Sequence, residues 1–229
     1  MFVSARVGRT ARSARESCPV ENVAAYPVTL SVDYPDRVLD RLSTGLRILY
    51  AIPILIVAAA VGGGTVELGT ASRVYAFTAG GGLLFFAPLL LIVFREKYPR
   101  WWFDWNLNLA RFTTRVAAYL ALMDDRYPAT DEQQAVHLTL PYPDPKTDLN
   151  RWLPLVKWLL AIPHYIVLFF LTIGAVLAAI GAWFAILISG RYPRALFTYV
   201  EGVIRWHARV VSYAILLLVD SYPPFRLSA

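Results

Sequence analysis

Residues 152–189 read WLPLVKWLLAIPHYIVLFFLTIGAVLAAIGAWFAILIS, an apolar run that is broken only by Lys157 and His164. A helix needs ~20 residues to cross the ~30 Å hydrocarbon core of a bilayer. The run is therefore too long for one span and close to the length of two, and we place a reversal near Thr172-Ile173-Gly174. Helices are expected rather than strands, because an open sheet edge leaves backbone groups unsatisfied in lipid.

The composition of the whole chain is typical of a membrane protein. Of its 229 residues 57% are hydrophobic and 17% are charged, and the mean hydropathy is +0.49, whereas soluble domains carry ~25% charged residues. The net charge is +6, and the basic residues stand at the ends of apolar runs. This placement favours anionic lipid headgroups over nucleic acid as the partner. Cys18 is the only cysteine, and neither a metal site nor a cofactor is indicated.

Two segments of the chain carry the same motifs in the same order, which indicates an internal duplication. The motifs pair as Leu39-Asp40-Arg41 with Leu149-Asn150-Arg151, Ala51-Ile52-Pro53 with Ala161-Ile162-Pro163, and Tyr98-Pro99-Arg100 with Tyr192-Pro193-Arg194. The second segment is shorter, and the extra residues of the first fall on a glycine-bracketed loop over 62–82. We therefore predict a basic, disordered tail over 1–25, a first repeat over 26–129 and a second repeat over 130–229.

Each repeat is predicted to consist of a short strand, a transmembrane helical hairpin and an amphipathic helix. Alternating apolar and polar residues predict strands over 28–33 and 136–140, which can pair with each other. The remaining helices are placed near 40–61, 75–95, 100–123 and 194–219. The expected fold class is an all-α integral membrane protein with two tandem repeats.

Pro53 and Pro163 fall at equivalent positions in the first helix of each repeat. A proline inside a helix removes one backbone hydrogen bond and usually kinks the helix. We predict a kink at both positions and favour a structural role over a functional hinge.

The third helix of each repeat carries a pair of arginines on one face: Arg111 and Arg115 in the first, Arg205 and Arg209 in the second. A guanidinium presents a planar fork of donors that suits phosphate. We therefore predict that these helices lie on the membrane surface and that the four arginines bind anionic headgroups. The alternative pairs the arginines internally with the acidic side chains Asp104, Glu201, Asp124 or Asp220.

His164 is the one histidine expected inside the hydrocarbon, which makes it a candidate functional residue. A neutral histidine that bonds across helices explains it too, and the first repeat has Ile54 there, so a structural role is favoured. Asp124 and Asp125, like Asp220, follow a third helix, where carboxylates could do acid–base work or bind a divalent ion. No histidine base stands nearby, and we assign no catalytic residue.

The distribution of basic residues predicts the topology, because positive charge marks the cytoplasmic side. Basic clusters flank each predicted hairpin at both ends, whereas the loop inside the first hairpin has one arginine, Arg73. We expect four spans, a cytoplasmic N-terminus and third helices on the inner leaflet. The alternative of three spans per repeat would place arginines in lipid at ~2.5–3.5 kcal/mol each.

Several stretches resemble a known family. They are Lys97-Tyr98-Pro99-Arg100-Trp101, Asp125-Arg126-Tyr127-Pro128 and Trp158-Leu159-Leu160-Ala161-Ile162-Pro163-His164-Tyr165. They are similar to the prokaryotic membrane family called domain of unknown function 4389, over roughly residues 26–225 and in both copies. The resemblance implies a bacterial or archaeal integral-membrane protein, and it supplies neither a catalytic residue nor a substrate. The predicted spans place the protein in the inner membrane as a multi-pass protein.

These observations favour a non-enzymatic role. We expect a protein that interacts with lipids at the cytoplasmic leaflet or serves as an accessory or scaffolding subunit, within a larger membrane complex or a homo-oligomer. The alternative is a small oligomeric transporter or channel, and a lipid-modifying enzyme is supported least.

Overall fold

The computed structural model describes residues 26–62, 79–130, 132 and 134–228, with side chains for all of these but 59–62 and 79–85. Within these ranges the chain forms seven helices and two strands. They are β1 (Thr29–Val32), α1 (Arg41–Gly45), α2 (Arg47–Gly62), α3 (Ala79–Arg95), α4 (Arg100–Leu120), β2 (Val136–Thr139), α5 (Pro154–Leu160), α6 (Ile162–Ser189) and α7 (Arg194–Ala214). The predicted tail over 1–25 and residues 63–78 of the predicted loop lie outside the described residues.

The two strands form one antiparallel sheet in which Leu30 lies opposite Leu138. Apolar residues on one face are buried, namely Val28, Leu30, Val32, Val136, Leu138 and Leu140. The polar residues between them, such as Ser31 and His137, are exposed. Both predicted strands and their pairing are confirmed. A lone pair of strands is marginal in water, so the buried face requires the helices on which it packs.

Helices α4 and α7 lie antiparallel beneath the sheet. Tyr98, just before α4, donates to the Leu216 carbonyl after α7 at 3.1 Å, and Tyr192, just before α7, donates to the Ala121 carbonyl after α4 at 3.2 Å. Both helices begin directly after a Tyr-Pro pair, Tyr98-Pro99 or Tyr192-Pro193, because proline disfavours helical geometry in the residue before it. Both end earlier than predicted, and Leu122 and Leu217 then adopt positive φ angles.

Helices α2 and α6 cover α4 and α7 on the side away from the sheet. Ala51 and Ile54 of α2 pack in one cluster with Phe112 and Val116 of α4. Leu168 of α6 packs in a matching cluster that includes Trp206 and Val210 of α7. The fold therefore has three layers: the sheet, the α4–α7 pair, and an outer helical layer of α1, α2, α3, α5 and α6.

The reversal predicted near Thr172-Ile173-Gly174 is wrong. Helix α6 continues from Ile162 to Ser189 and ends at Gly190, which has a φ of +71°. Gly174 instead faces α7, where an added Cβ would collide with the hydroxyl of Tyr199 and lie 3.3 Å from its Cζ atom. The glycine permits a close helix–helix approach rather than a turn. The second predicted hairpin is therefore replaced by the short helix α5 and the long helix α6.

Among the described helices, α6 alone is both long and apolar enough to cross a membrane by length and composition, with 28 residues and a mean hydropathy of 2.4. Arg47–Ala58 and Phe86–Arg95 are shorter apolar stretches. Pro53 lies in the interior of α2, whereas Pro163 lies in the first turn of α6 beside the junction with α5. The paired kinks stay a prediction.

Candidate functional site

The outer helical layer exposes large apolar side chains. Ile48 of α2, Phe94 of α3 and Ile188 of α6 are 80%, 72% and 79% exposed. Along α6 the exposed apolar side chains include Ile166, Phe169, Phe170, Ile173, Val176, Leu177, Ile180 and Phe184. Soluble monomers seldom expose a large contiguous patch of this kind, and such patches mark membrane or protein contacts. We call this surface the apolar face.

A groove with a volume of about 1270 Å³ opens within the apolar face. Its floor is formed by the small and apolar side chains of α4 and α7, including Ala110, Ala117 and Ala208, and α6 supplies one wall, including Val176 and Phe184. Pockets for drug-sized ligands usually measure ~300–1,000 Å³. The groove is thus large enough for a long apolar chain.

Two buried ion pairs connect the outer layer to the ends of α4 and α7. Arg47 of α2 donates to Asp125 Oδ1 at 2.6 Å and to the Asp124 carbonyl at 2.6 Å. Lys157 of α5 is fully buried, lies 2.6 Å from Asp220 Oδ1 and donates to the Val219 carbonyl at 2.8 Å. Burial lowers the pKa of Lys157, while the hydrogen bond and the charge of Asp220 oppose this shift.

These ion pairs were not predicted from the sequence, which assigned Arg47 and Lys157 only to the flanks of spans. A signal was nevertheless present in the duplication. Each cation stands four residues before an Ala-Ile-Pro motif, and Asp125 and Asp220 each stand two residues before a Tyr-Pro turn. Equivalent cations and equivalent carboxylates at matching positions could have been paired.

The four arginines predicted to bind headgroups lie on the sheet side of α4 and α7, opposite the apolar face. Each donates to a backbone carbonyl: Arg111 to Leu138 at 3.2 Å, Arg115 to Ala129 at 2.6 Å, Arg205 to Leu30 at 2.8 Å and Arg209 to Arg226 at 3.3 Å. Of the internal ion pairs considered as the alternative, Arg205 with Glu201 is present. Contact between these arginines and headgroups stays a prediction from the sequence, and the membrane orientation proposed below does not depend on it.

Arg205, Arg209 and Arg226 also lie close enough for their charges to interact. The pKa of Arg209 is lowered by burial and by the charges of Arg205 and Arg226. Asp124 instead pairs with Arg126 at 3.1 Å and with Arg37 at 3.4 Å. The sequence pattern placed these arginines on one face of each helix. In the structure, that face contacts the sheet and the C-terminal segment.

His164 is fully buried between α6 and α7. Its Nδ1 accepts a hydrogen bond from Trp206 Nε1 at 3.2 Å, and its ring stacks on Phe225 with centroids 4.0 Å apart. A ring nitrogen that accepts is unprotonated, so the histidine is neutral with its hydrogen on Nε2. This agrees with the cross-helix bonding considered from the sequence.

In the part of the chain that the structure describes, no group of three or more His, Cys, Asp or Glu side chains is arranged to hold a metal ion.

Comparison with known families gives a match to the family described as Domain of unknown function (DUF4389), over residues 152–226. The matched segment contains α5, α6 and α7, together with Lys157 and Asp220. It supports the family resemblance for the second of the two segments, and one copy of the family domain is found rather than two. No curated protein and no solved structure matches the chain.

Proposed function

We propose that this chain is a non-enzymatic membrane protein that is embedded in the inner leaflet through its apolar face and binds lipids there. The observation that carries the proposal is that most of the exposed large apolar side chains belong to the outer helical layer, whereas the sheet on the opposite side exposes polar ones. An apolar surface of this kind that lies in lipid requires no partner protein to bury it.

The packing of α6 favours an orientation parallel to the membrane. Tyr199 of α7 donates to the Leu171 carbonyl of α6 at 3.1 Å, and Leu196 lies 3.7 Å from a Cβ added at Gly181. Together with the Trp206–His164 hydrogen bond, these contacts extend along most of α7. Any tilt of α6 would therefore be shared by α7 and by the sheet that α7 carries.

An upright α6 would place the sheet at membrane depth. Asp33 and His137 are paired at 3.0 Å, with side chains 67% and 55% exposed, and charged groups there cost ~2.5–3.5 kcal/mol each. The open sheet edges would also lack hydrogen-bond partners. With α6 parallel to the bilayer plane, the apolar face meets lipid and the sheet stays in water.

This arrangement replaces the four spans expected from the sequence, which required two helices within residues 152–189. The basic residues still obey the positive-inside rule, because both ends of α6 then lie on the cytoplasmic side. Arg151 precedes α5, and Arg191 and Arg194 follow α6.

We propose further that the chain contains two copies of one unit, in which α6 corresponds to α2 and α3 together. Reciprocal contacts between matched residues support this. Arg41 donates to the Ile188 carbonyl at the end of α6 at 3.2 Å, and its counterpart Arg151 donates to the Val93 carbonyl near the end of α3 at 2.6 Å. The two ion pairs of Arg47 and Lys157 follow the same correspondence.

Single-cysteine labelling tests the arrangement in a Cys18→Ser background. Lys146→Cys, Arg191→Cys and Ser31→Cys place exposed thiols before α5, after α6 and on the sheet. We expect a membrane-impermeant maleimide to label all three in inside-out vesicles and none in intact spheroplasts. Labelling of positions 146 and 191 from opposite sides would show that α6 crosses the membrane.

Alkaline carbonate extraction tests the embedding itself. We expect the protein to remain in the membrane pellet, because the apolar face holds it without ionic contacts. Release into the supernatant would contradict the proposal and would point to a partner protein, as in an accessory subunit, as the cover of the apolar face.

A further inference from the structure

The groove in the apolar face contains a buried acceptor without a partner. Asn106 of α4 lines the groove and is 1% exposed, and its Oδ1 atom has no hydrogen-bond partner among the described residues. An unmet buried acceptor is costly, and native proteins seldom keep one without a reason.

The hydrogen bonds of Tyr98 fix the orientation of the Asn106 amide. The Tyr98 hydroxyl has one hydrogen, which it donates to the Leu216 carbonyl at 3.1 Å. The same hydroxyl lies 3.3 Å from Asn106 Nδ2 and must therefore accept from it. The amide nitrogen is thus the donor in this contact, and Oδ1 is left as an acceptor.

Several other polar side chains of the groove already have partners. The hydroxyls of Thr113 and Thr114 donate to backbone carbonyls of α4, and that of Ser212 donates within α7. Thr172 and His207 lie 3.4 Å apart across the groove between α6 and α7. Among the described side chains that line the groove, Asn106 Oδ1 is the buried acceptor without a partner.

We infer that the groove binds one amphiphile from the bilayer, with its hydrocarbon chain along the alanine-lined floor and a hydroxyl that donates to Asn106 Oδ1. This inference rests on the proposed function, because the groove opens among exposed apolar residues of the face that meets lipid, such as Ile48 and Ile180. The hydrocarbon chain of a ligand that enters from the bilayer is already out of water. The hydroxyl of the ligand then donates to Asn106 Oδ1, which otherwise has no partner.

The matched probes are hexadecan-1-ol and its methyl ether, which share the chain and differ in the donor. Binding to the detergent-solubilised full chain is measured by native mass spectrometry. We expect the alcohol to bind about tenfold more tightly than the ether, because the ether leaves Asn106 Oδ1 unpaired. Equal affinity of the two probes would overturn the role of Asn106.

Two variants and one control separate the chain contact from the hydroxyl contact. Asn106→Leu should bind both probes equally, whereas Ala208→Trp on the groove floor should bind neither. Ala195→Trp, which places the same side chain at an exposed position of α7 outside the groove, should behave as the unmodified protein. Binding of both probes by Ala208→Trp would overturn the inference.

Carbonate extraction of the same variants distinguishes this inference from the proposed function. Ala208→Trp should stay in the membrane pellet like the unmodified protein, because the apolar face is intact. If all forms stay in the pellet but no probe binds, the groove inference fails alone. If the unmodified protein is released, the proposed function fails.

Discussion

The carbonyl oxygen of Leu30 accepts a hydrogen bond from Arg205 Nε at 2.8 Å, which attaches β1 to α7. The carbonyl of Leu138, the partner of Leu30 in the sheet, accepts in the same way from Arg111 of α4 at 3.2 Å. The small sheet is thus held to both helices beneath it by charge-assisted hydrogen bonds. Such bonds contribute more than neutral ones.

Loss of the Arg205 contact should destabilise the fold. Arg205→Gln removes the donor to Leu30 and leaves Glu201 without its cation, and we expect the free energy of unfolding to fall by about 2–3 kcal/mol. Chemical unfolding in detergent micelles measures this. Arg194→Gln, at a 79% exposed side chain, should change it by less than about 1 kcal/mol, and an equal loss in the two variants would contradict the assignment.

The buried pair of Lys157 and Asp220 should show strong coupling. Lys157→Met leaves the Asp220 carboxylate without its counter-charge, and breaking a buried pair costs about 3–5 kcal/mol. The double variant Lys157→Met with Asp220→Asn should recover part of that loss, since no charge is then left unpaired.

The same unfolding experiment checks the coupling between Lys157 and Asp220. Lys146→Met, a matched change at an exposed position, should leave the stability within about 0.5 kcal/mol. Strict additivity of the two single changes would show that the side chains do not interact.

Gly174 and Gly181 of α6 should respond differently to alanine. At Gly174 the new Cβ meets the Tyr199 hydroxyl, so Gly174→Ala should destabilise the protein by about 1–3 kcal/mol. At Gly181 the nearest side-chain atom is Leu196 Cδ1 at 3.7 Å, so Gly181→Ala should be neutral or stabilise the helix by up to about 1 kcal/mol. Thermal unfolding compares the two.

Tyr199→Phe provides the control for the collision at Gly174. Without the hydroxyl, the added methyl group loses its nearest obstacle, and the cost of Gly174→Ala should shrink. If Gly174→Ala is tolerated in the unmodified background, α6 does not approach α7 at this position as described.

The sequence predicted those parts of the fold that depend on local patterning. The alternation around Leu30 and Leu138 predicted the strands, and the predicted starts of α4 and α7 fell directly after Tyr98-Pro99 and Tyr192-Pro193. The reversal at Gly174 was wrong because a glycine in an apolar run fits a turn and a tight helix contact equally well. Only the position of Tyr199 in space distinguishes them.

The candidate site depended on contacts that local patterning does not encode. The arginine face of α7 was recognised, but whether Arg205 meets a phosphate or the Leu30 carbonyl depends on where β1 packs. The groove acceptor at Asn106 was missed for the same reason. The sequence alone does not identify an asparagine on an amphipathic helix as a ligand contact, because that role depends on where Tyr98 and the groove lie in the fold.

Membrane depth along α6 tests the central claim most directly. Spin labels at Ile166→Cys, Ile173→Cys, Ile180→Cys and Ile188→Cys, in the Cys18→Ser background, report on exposed positions spaced about two helical turns apart. Oxygen and a water-soluble nickel chelate are compared as relaxing agents in reconstituted bilayers. The account predicts high oxygen accessibility and nearly the same depth at all four positions. A profile that is shallow at Ile166 and Ile188 and deep at Ile173 and Ile180 would contradict it, as would greater access for the chelate throughout.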